Sequence, residues 1–220
     1  MSRKHILITI VIVAAVLLVG AGYYYLTMGG SDNQASDAPG FVITKTDRTM
    51  GNPKAPVTLI EYAAPVCPHC ANFDMNSFPL LKAGYIDTGK VFYVFRVFPI
   101  RPEDGPAEKM ARCLPADKYF SFIDLLFRNQ ARWDVSEFPE TATKDGLVTM
   151  GRIAGMSEDQ INKCIDNKAE DEHTNAVAKD GEEKYNISGT PTFVVNGVAQ
   201  PAGEEWPDLQ SSLDSALAHK

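Results

Sequence analysis

The chain has 220 residues, with 45% hydrophobic and 22% charged side chains and a formal net charge of −7. That composition is ordinary for a globular protein and argues against bulk disorder. The acidic balance, with no dense basic patch, argues against nucleic acid as a partner.

The first 40 residues stand apart. Ser2-Arg3-Lys4-His5 is a short basic head, and residues 6–28 carry no charged side chain. An apolar run of about 23 residues is long enough to span ~30 Å of hydrocarbon. It exceeds the apolar core of about 7–15 residues typical of a cleaved signal. Tyr23, Tyr24 and Tyr25 lie near its far end, where aromatic rings favour the membrane interface. Residues 1–28 read as a signal anchor. A cleaved signal peptide is the alternative, because Asn33-Gln34-Ala35 and Ser36-Asp37-Ala38 offer small-residue sites. In either case the basic head stays cytoplasmic and the remainder crosses the membrane, into a compartment where disulfides persist. Residues 29–40, rich in Gly, Ser, Asp and Asn, read as a flexible linker. A folded domain is expected over residues 41–218.

Phe41-Val42-Ile43 is expected as a short first strand. Gly51 to Pro56 contains two prolines and a glycine, which forbid a helix and mark a turn. Val57 to Tyr62 is apolar enough for a buried strand. A helix follows over Pro68–Leu81, with proline tolerated in its first turn. Val91 to Phe98, rich in β-branched and aromatic residues, is a second strong strand. Strand, helix, strand makes a βαβ unit with parallel pairing. From about residue 104 to 185 the pattern becomes helical, at Pro106–Cys113, Lys118–Arg128, Thr143–Ala154, Glu158–Asn167 and Ala169–Tyr185. Ser157 with Gln160 has the spacing of a capping box. Strands return at Thr192 to Val195. Asn196-Gly197 then forms a two-residue hairpin turn into Val198, and a last helix runs over about Glu204–Ala218. The fold class is α/β, a βαβ…ββα sheet carrying an inserted helical subdomain over about 104–185.

The chemistry concentrates at Cys67-Pro68-His69-Cys70, at the start of the first helix. A thiol at a helix N-terminus faces unpaired backbone N–H groups and the positive end of the helix dipole. Both favour the thiolate, so Cys67 is expected to be acidic and nucleophilic. An acidic thiol is also a good leaving group, which makes its disulfide oxidising. Cys70 sits one turn on, on the same face, within reach to resolve a mixed disulfide. His69, as imidazolium or N–H donor, would stabilise the Cys67 thiolate further. Pro68 shapes the turn. The alternative is half of a zinc site. Zinc needs two further ligands, and the chain has four histidines and no second Cys-X-X-Cys, so no metal is expected. Cys113 and Cys164, both in the helical stretch, are expected to pair as a structural disulfide outside the cytoplasm. Closing about 52 residues would stabilise by roughly 4 kcal/mol in the chain-entropy model. Two buried free thiols or a second redox relay are the alternatives. Glu61, an acid in an apolar strand six residues before Cys67, either faces solvent or is buried. If buried, its raised pKa would let it exchange protons with Cys70.

Gly51-Asn52-Pro53 through Ala55-Pro56-Val57, then Glu61-Tyr62, then Cys67-Pro68-His69-Cys70, resemble the DsbA-type thiol–disulfide oxidoreductases of the thioredoxin superfamily. Gly189-Thr190-Pro191-Thr192 resembles the family's second landmark. The resemblance spans about residues 41–218. It implies a thioredoxin-like fold with a helical insertion, and a Pro191 that is cis and lies against the active-site disulfide. It also implies that the Thr190 backbone binds an extended substrate, and that Glu61 matches an acidic residue of the family. Thr190 departs from the valine of the best-known oxidase and agrees with related isomerases and reductases.

The expected function is a periplasmic thiol–disulfide oxidoreductase, anchored to the inner membrane by residues 6–28, that introduces disulfides into reduced exported polypeptides. Reoxidation by a DsbB-type membrane quinone reductase is implied by the resemblance, and no cofactor is expected. The alternatives are a disulfide isomerase or reductase kept reduced by a membrane donor, and a non-catalytic metal-binding or chaperone protein on a thioredoxin scaffold.

Overall fold

The computed structural model describes residues 42–134, 140–201, 203 and 205–219. The anchor and linker readings for residues 1–40, and Phe41, lie outside these residues. Among the described residues no helix is long and apolar enough to cross a membrane.

The chain order is β1 (Arg48–Met50), β2 (Val57–Ala63), α1 (Pro68–Asn76), α2 (Phe78–Leu81), a π turn (Lys82–Ile86) and β3 (Val91–Val97). The insertion follows as α3 (Asp104–Cys113), a 3-10 turn (Ala116–Lys118), α4 (Tyr119–Arg128), α5 (Gln130–Trp133), α6 (Glu140–Ile153), α7 (Glu158–Ile165) and α8 (Lys168–Tyr185). It returns to the sheet as β4 (Thr192–Val195) and β5 (Val198–Ala199), and α9 (Trp206–Ala218) comes last. The sheet order is β1-β3-β2-β4-β5. β2 and β3 run parallel, with Leu59 opposite Tyr93, and every other pairing is antiparallel. The strands β2, β3 and β4 are buried on both faces, as expected where helices cover a sheet on two sides. Side chains alternate along each strand. Leu59, Tyr93 and Phe193 face the core shared with α1, α9 and the insertion. Ile60, Val94 and Val194 face a smaller core with Tyr185 of α8.

Three elements differ from the sequence reading. Val42 and Ile43 are not a strand, and the first strand is Arg48–Met50, antiparallel to β3. The cause is Arg96 on β3. Its guanidinium donates to both Asp47 carboxylate oxygens at 2.9 Å and to the Val42 carbonyl at 2.8 Å. With side-chain exposures of 5% and 3% the Arg96–Asp47 pair is buried, and it pins residues 42–47 as a loop rather than an edge strand. The expected helix over Pro68–Leu81 breaks at Ser77. Pro79 in a continuous helix would lack its N–H bond and clash with the carbonyl four residues back, and the break places it in the first turn of α2 instead. The one-turn helix α5 has no counterpart in the periodicity. It is held by Trp133, whose ring N–H donates to the Leu126 carbonyl at 2.8 Å and whose side chain is fully buried. The capping box at Ser157 and Gln160 is present. Asn196 and Gly197 take φ of 47° and 84°, the left-handed pair that a two-residue hairpin turn requires.

Helix α6 packs on α5 through Gly146, where a Cβ would stand 2.5 Å from the Trp133 Cα and 2.8 Å from the Arg132 carbonyl oxygen. Both obstacles are backbone and cannot rotate away. Gly146→Ala is expected to lower stability by about 1–3 kcal/mol through overpacking. Gly84→Ala, where nothing lies within 4 Å, serves as the control and should be neutral or slightly stabilising in the same thermal melts.

Candidate active site

Cys67 caps α1 with extended backbone, φ −74° and ψ 119°, and Pro68 occupies the first helical turn. The Cys70 backbone N–H donates to the Cys67 sulfur at 3.4 Å. The Cys67 thiol in turn donates to the Thr190 carbonyl at 3.3 Å. Thr190 stands 123 residues away in sequence and is delivered by the β2–β4 pairing, in which Tyr62 lies opposite Thr192. The Thr190–Pro191 bond is cis. The structure therefore brings Cys67, Pro68, His69, Cys70, Thr190 and Pro191 together, with Glu61 beneath them. Cys67 and Cys70 are both free thiols here and both buried.

The two sulfurs carry opposite proton affinities. The Cys67 thiol falls from its usual 9.0 to about 5. Hydrogen bonding from the Cys70 thiol lowers it most, against burial, and the Thr190 side chain and the backbone N–H groups of Cys70 and His69 lower it further. Burial pushes Cys70 well above its usual value, and its own bond to Cys67 adds to the rise. The Thr190 hydroxyl is buried without a partner while Cys67 is a thiol, and ionisation of Cys67 turns the sulfur into an acceptor for it. The contribution of His69 to Cys67 comes through its backbone N–H, whereas the sequence reading placed it on the imidazole. Its side chain is exposed, where solvent screens it.

Glu61 is 2% exposed. Burial raises it from 4.5 to about 8, although the Tyr93 hydroxyl donates to its carboxylate at 2.7 Å. Asp74, on the outer part of α1, rises to about 7, first by burial and then by Asp124 of α4 facing it. Cys113 of α3 and Cys164 of α7 are joined in a disulfide within the insertion, remote in chain order from the Cys67 centre. Among the described residues no group of three or more His, Cys, Asp and Glu side chains is arranged to hold a metal ion.

Two supporting residues were missed in the sequence reading. Gln130 of α5 donates its amide to the Pro65 carbonyl at 2.8 Å and the Cys67 carbonyl at 2.9 Å. Asp104 accepts from the Val66 and Ile100 N–H groups at 2.9 Å and from Arg101 at 3.0 Å. Together they hold the backbone leading into the first cysteine. Asp104 begins a helix after a proline, the ordinary setting of a capping acid, and nothing local marks Gln130.

Glu61 binds its proton more tightly in the native state than its reference value of 4.5 implies. Its burial penalty is absent while both states are protonated, below about 4.5, and grows until it is complete above about 8. In the oxidised protein, where neither Cys67 nor Cys70 titrates, Glu61→Gln is expected to gain stability over wild type steadily between those limits. Denaturant melts across that range check it, and a difference that stays level with pH would overturn the assignment.

Residues 43–215 match the protein family described as Thioredoxin. A putative protein-disulfide oxidoreductase of Rickettsia typhi is 33% identical over 182 residues, covering 80% of this chain and 64% of the relative. The chain thus spans less than two thirds of that relative's length. A probable disulfide bond formation protein D of Bacillus cereus is 26% identical over 224 residues, covering 98% of each chain. The crystal structure of Wolbachia pipientis alpha-DsbA1 superposes with a TM-score of 0.74 at 27% identity, covering 81% of this chain and 94% of that one. The chain belongs to the thioredoxin family, and within it to the DsbA type, a thioredoxin-like sheet with a helical insertion.

Proposed function

We propose that this protein is a dithiol oxidase that donates the Cys67–Cys70 disulfide to reduced polypeptides outside the cytoplasm. The observation that carries the reading is the split between the two sulfurs, one acidic at about 5 and one pushed well above its usual value. A thiolate stabilised in the reduced form makes the oxidised form a strong acceptor of electrons.

In the first step a substrate thiolate attacks the Cys67 sulfur, the Cys67–Cys70 bond breaks, and Cys70 leaves with the electron pair. Its high proton affinity draws a proton, and the protonated Glu61 is the nearby acid. A second substrate thiolate then attacks the substrate sulfur of the mixed disulfide, and Cys67 leaves readily as a thiolate. The substrate gains a disulfide and the protein becomes a dithiol. The Thr190 carbonyl beside the cysteine offers main-chain pairing to an extended client. A cavity of about 260 Å³ bordered by His69, Phe73, Pro191 and Trp206 can receive a neighbouring side chain.

The apolar run at residues 6–28 supports anchoring to the inner membrane with the domain on the periplasmic face. Return of Cys67 and Cys70 to the disulfide then falls to a membrane quinone reductase of the DsbB type. The second reading is an isomerase or reductase kept reduced by a membrane donor, and Thr190 before the cis proline favours it.

Three measurements on the full-length protein test the proposal. Titration of thiolate absorbance should show a midpoint near 5 that is missing in Cys67→Ser. The Cys67–Cys70 potential in glutathione buffers should fall at roughly −120 to −180 mV, whereas a value near about −270 mV would transfer the lead to the reductase reading. Cys67→Ser should abolish peptide oxidation, and Cys70→Ser should accumulate the mixed disulfide.

A further inference from the structure

A second cavity lies away from Cys67. It lies on the insertion, between the C-terminal end of α3, the outer face of α4 and the turn joining α6 to α7, and has a volume of about 740 Å³. That size suits a drug-sized ligand. Leu114, Phe122, Leu125 and Met156 line it, and Ile153, 55% exposed, stands at its rim. The Cys113–Cys164 disulfide forms part of the wall and ties α3 to α7 across it, so the opposing sides are held at a fixed spacing.

The charges around this apolar interior are unbalanced. Lys118, Arg128 and Lys163 line the cavity against one carboxylate, Asp124. Asp124 is taken by Arg128 at 2.7 Å. Among the described residues Lys118 pairs with Asp117 alone, 4.0 Å away, with both side chains largely exposed, a contact worth little in water. Lys163 forms no ion pair among the described residues. Two positive charges without firm partners thus border an apolar hollow on a chain whose net charge is −7.

We propose that this cavity binds an amphipathic anion, a compact apolar body carrying one carboxylate or sulfonate. The body lies against Phe122 and Leu125, and the anionic group faces Lys118 and Lys163. Apolar burial supplies the attraction, and the two ammonium groups select charged over neutral ligands. Because both lysines are exposed, the selection weakens as ionic strength rises.

The test is a fluorescence titration of the full-length protein with anilinonaphthalene sulfonate. Phenylnaphthylamine, which keeps the aromatic body and lacks the sulfonate, serves as the neutral probe. Wild type should bind the sulfonate saturably at one site. The double variant Lys118→Glu/Lys163→Glu, altered only at exposed positions, should weaken that binding roughly tenfold while leaving the neutral probe within about twofold. Ile153→Asp at the rim should weaken both probes. Absence of saturable binding by wild type, sulfonate affinity that survives the double reversal, or an equal loss for both probes in the double variant would overturn the proposal.

Discussion

The antiparallel pairing of β2 with β4 is the constraint on which the rest depends. Opposing Tyr62 to Thr192 fixes where each strand ends, and those two ends carry the Cys67 and Thr190 halves of the centre. A shift of one residue would turn every side chain of β4 to the other face. It would take Phe193 out of its contact with Phe73 of the active-site helix, where the ring centroids lie 4.6 Å apart. Register, core packing and the 3.3 Å approach of sulfur to carbonyl are therefore one condition. The insertion between β3 and β4 must accordingly begin and end close to the sheet. Asp104, its first helical residue, bonds back to Val66, and α8 at its far end covers β3 on the other face.

Around the cysteines, burial raises the proton affinity of three carboxyl groups. Glu61 sits near 8, Asp74 near 7 and Asp104 near 6, in each case chiefly because burial disfavours the charge. Cys67 departs in the opposite direction. It is the group supplied with donors, from the Cys70 thiol and from the N-terminus of α1. Negative charge introduced by reduction is thus confined to one sulfur at the edge of the core. Glu61, the neighbouring acid that would repel it if ionised, is held toward its protonated form, so acid and thiolate roles follow from environment.

Much of this was legible in the sequence, for identifiable reasons. The strands β2, β3 and β4 are short runs of β-branched and aromatic residues bounded by turns, and periodicity finds such elements. The cysteine quartet carries its own chemistry, and its position after a strand follows from local pattern. What could not be read depends on contacts remote in sequence. Arg48–Met50 becomes a strand because Arg96 pins the preceding loop through Asp47. Gln130 reaches the Pro65 carbonyl from 65 residues away. The helix break at Ser77 lay in plain view at Pro79, and steric reasoning applied to that proline finds it. The Glu61 environment needed the fold, since a strand residue has two faces and the sequence does not say which is covered.

The separation of Cys67 from Thr190 by 123 residues bears on when the protein acquires its reactivity. A chain emerging N-terminus first exposes Cys67 and Cys70 long before the segment that completes their surroundings. Until β4 docks, Cys67 lacks the Thr190 hydroxyl that helps to lower its proton affinity, and Cys70 lacks the burial that raises its own. Formation of such long-range pairs is the slow part of folding. The contrast between the two sulfurs is therefore complete only once the whole sheet has closed.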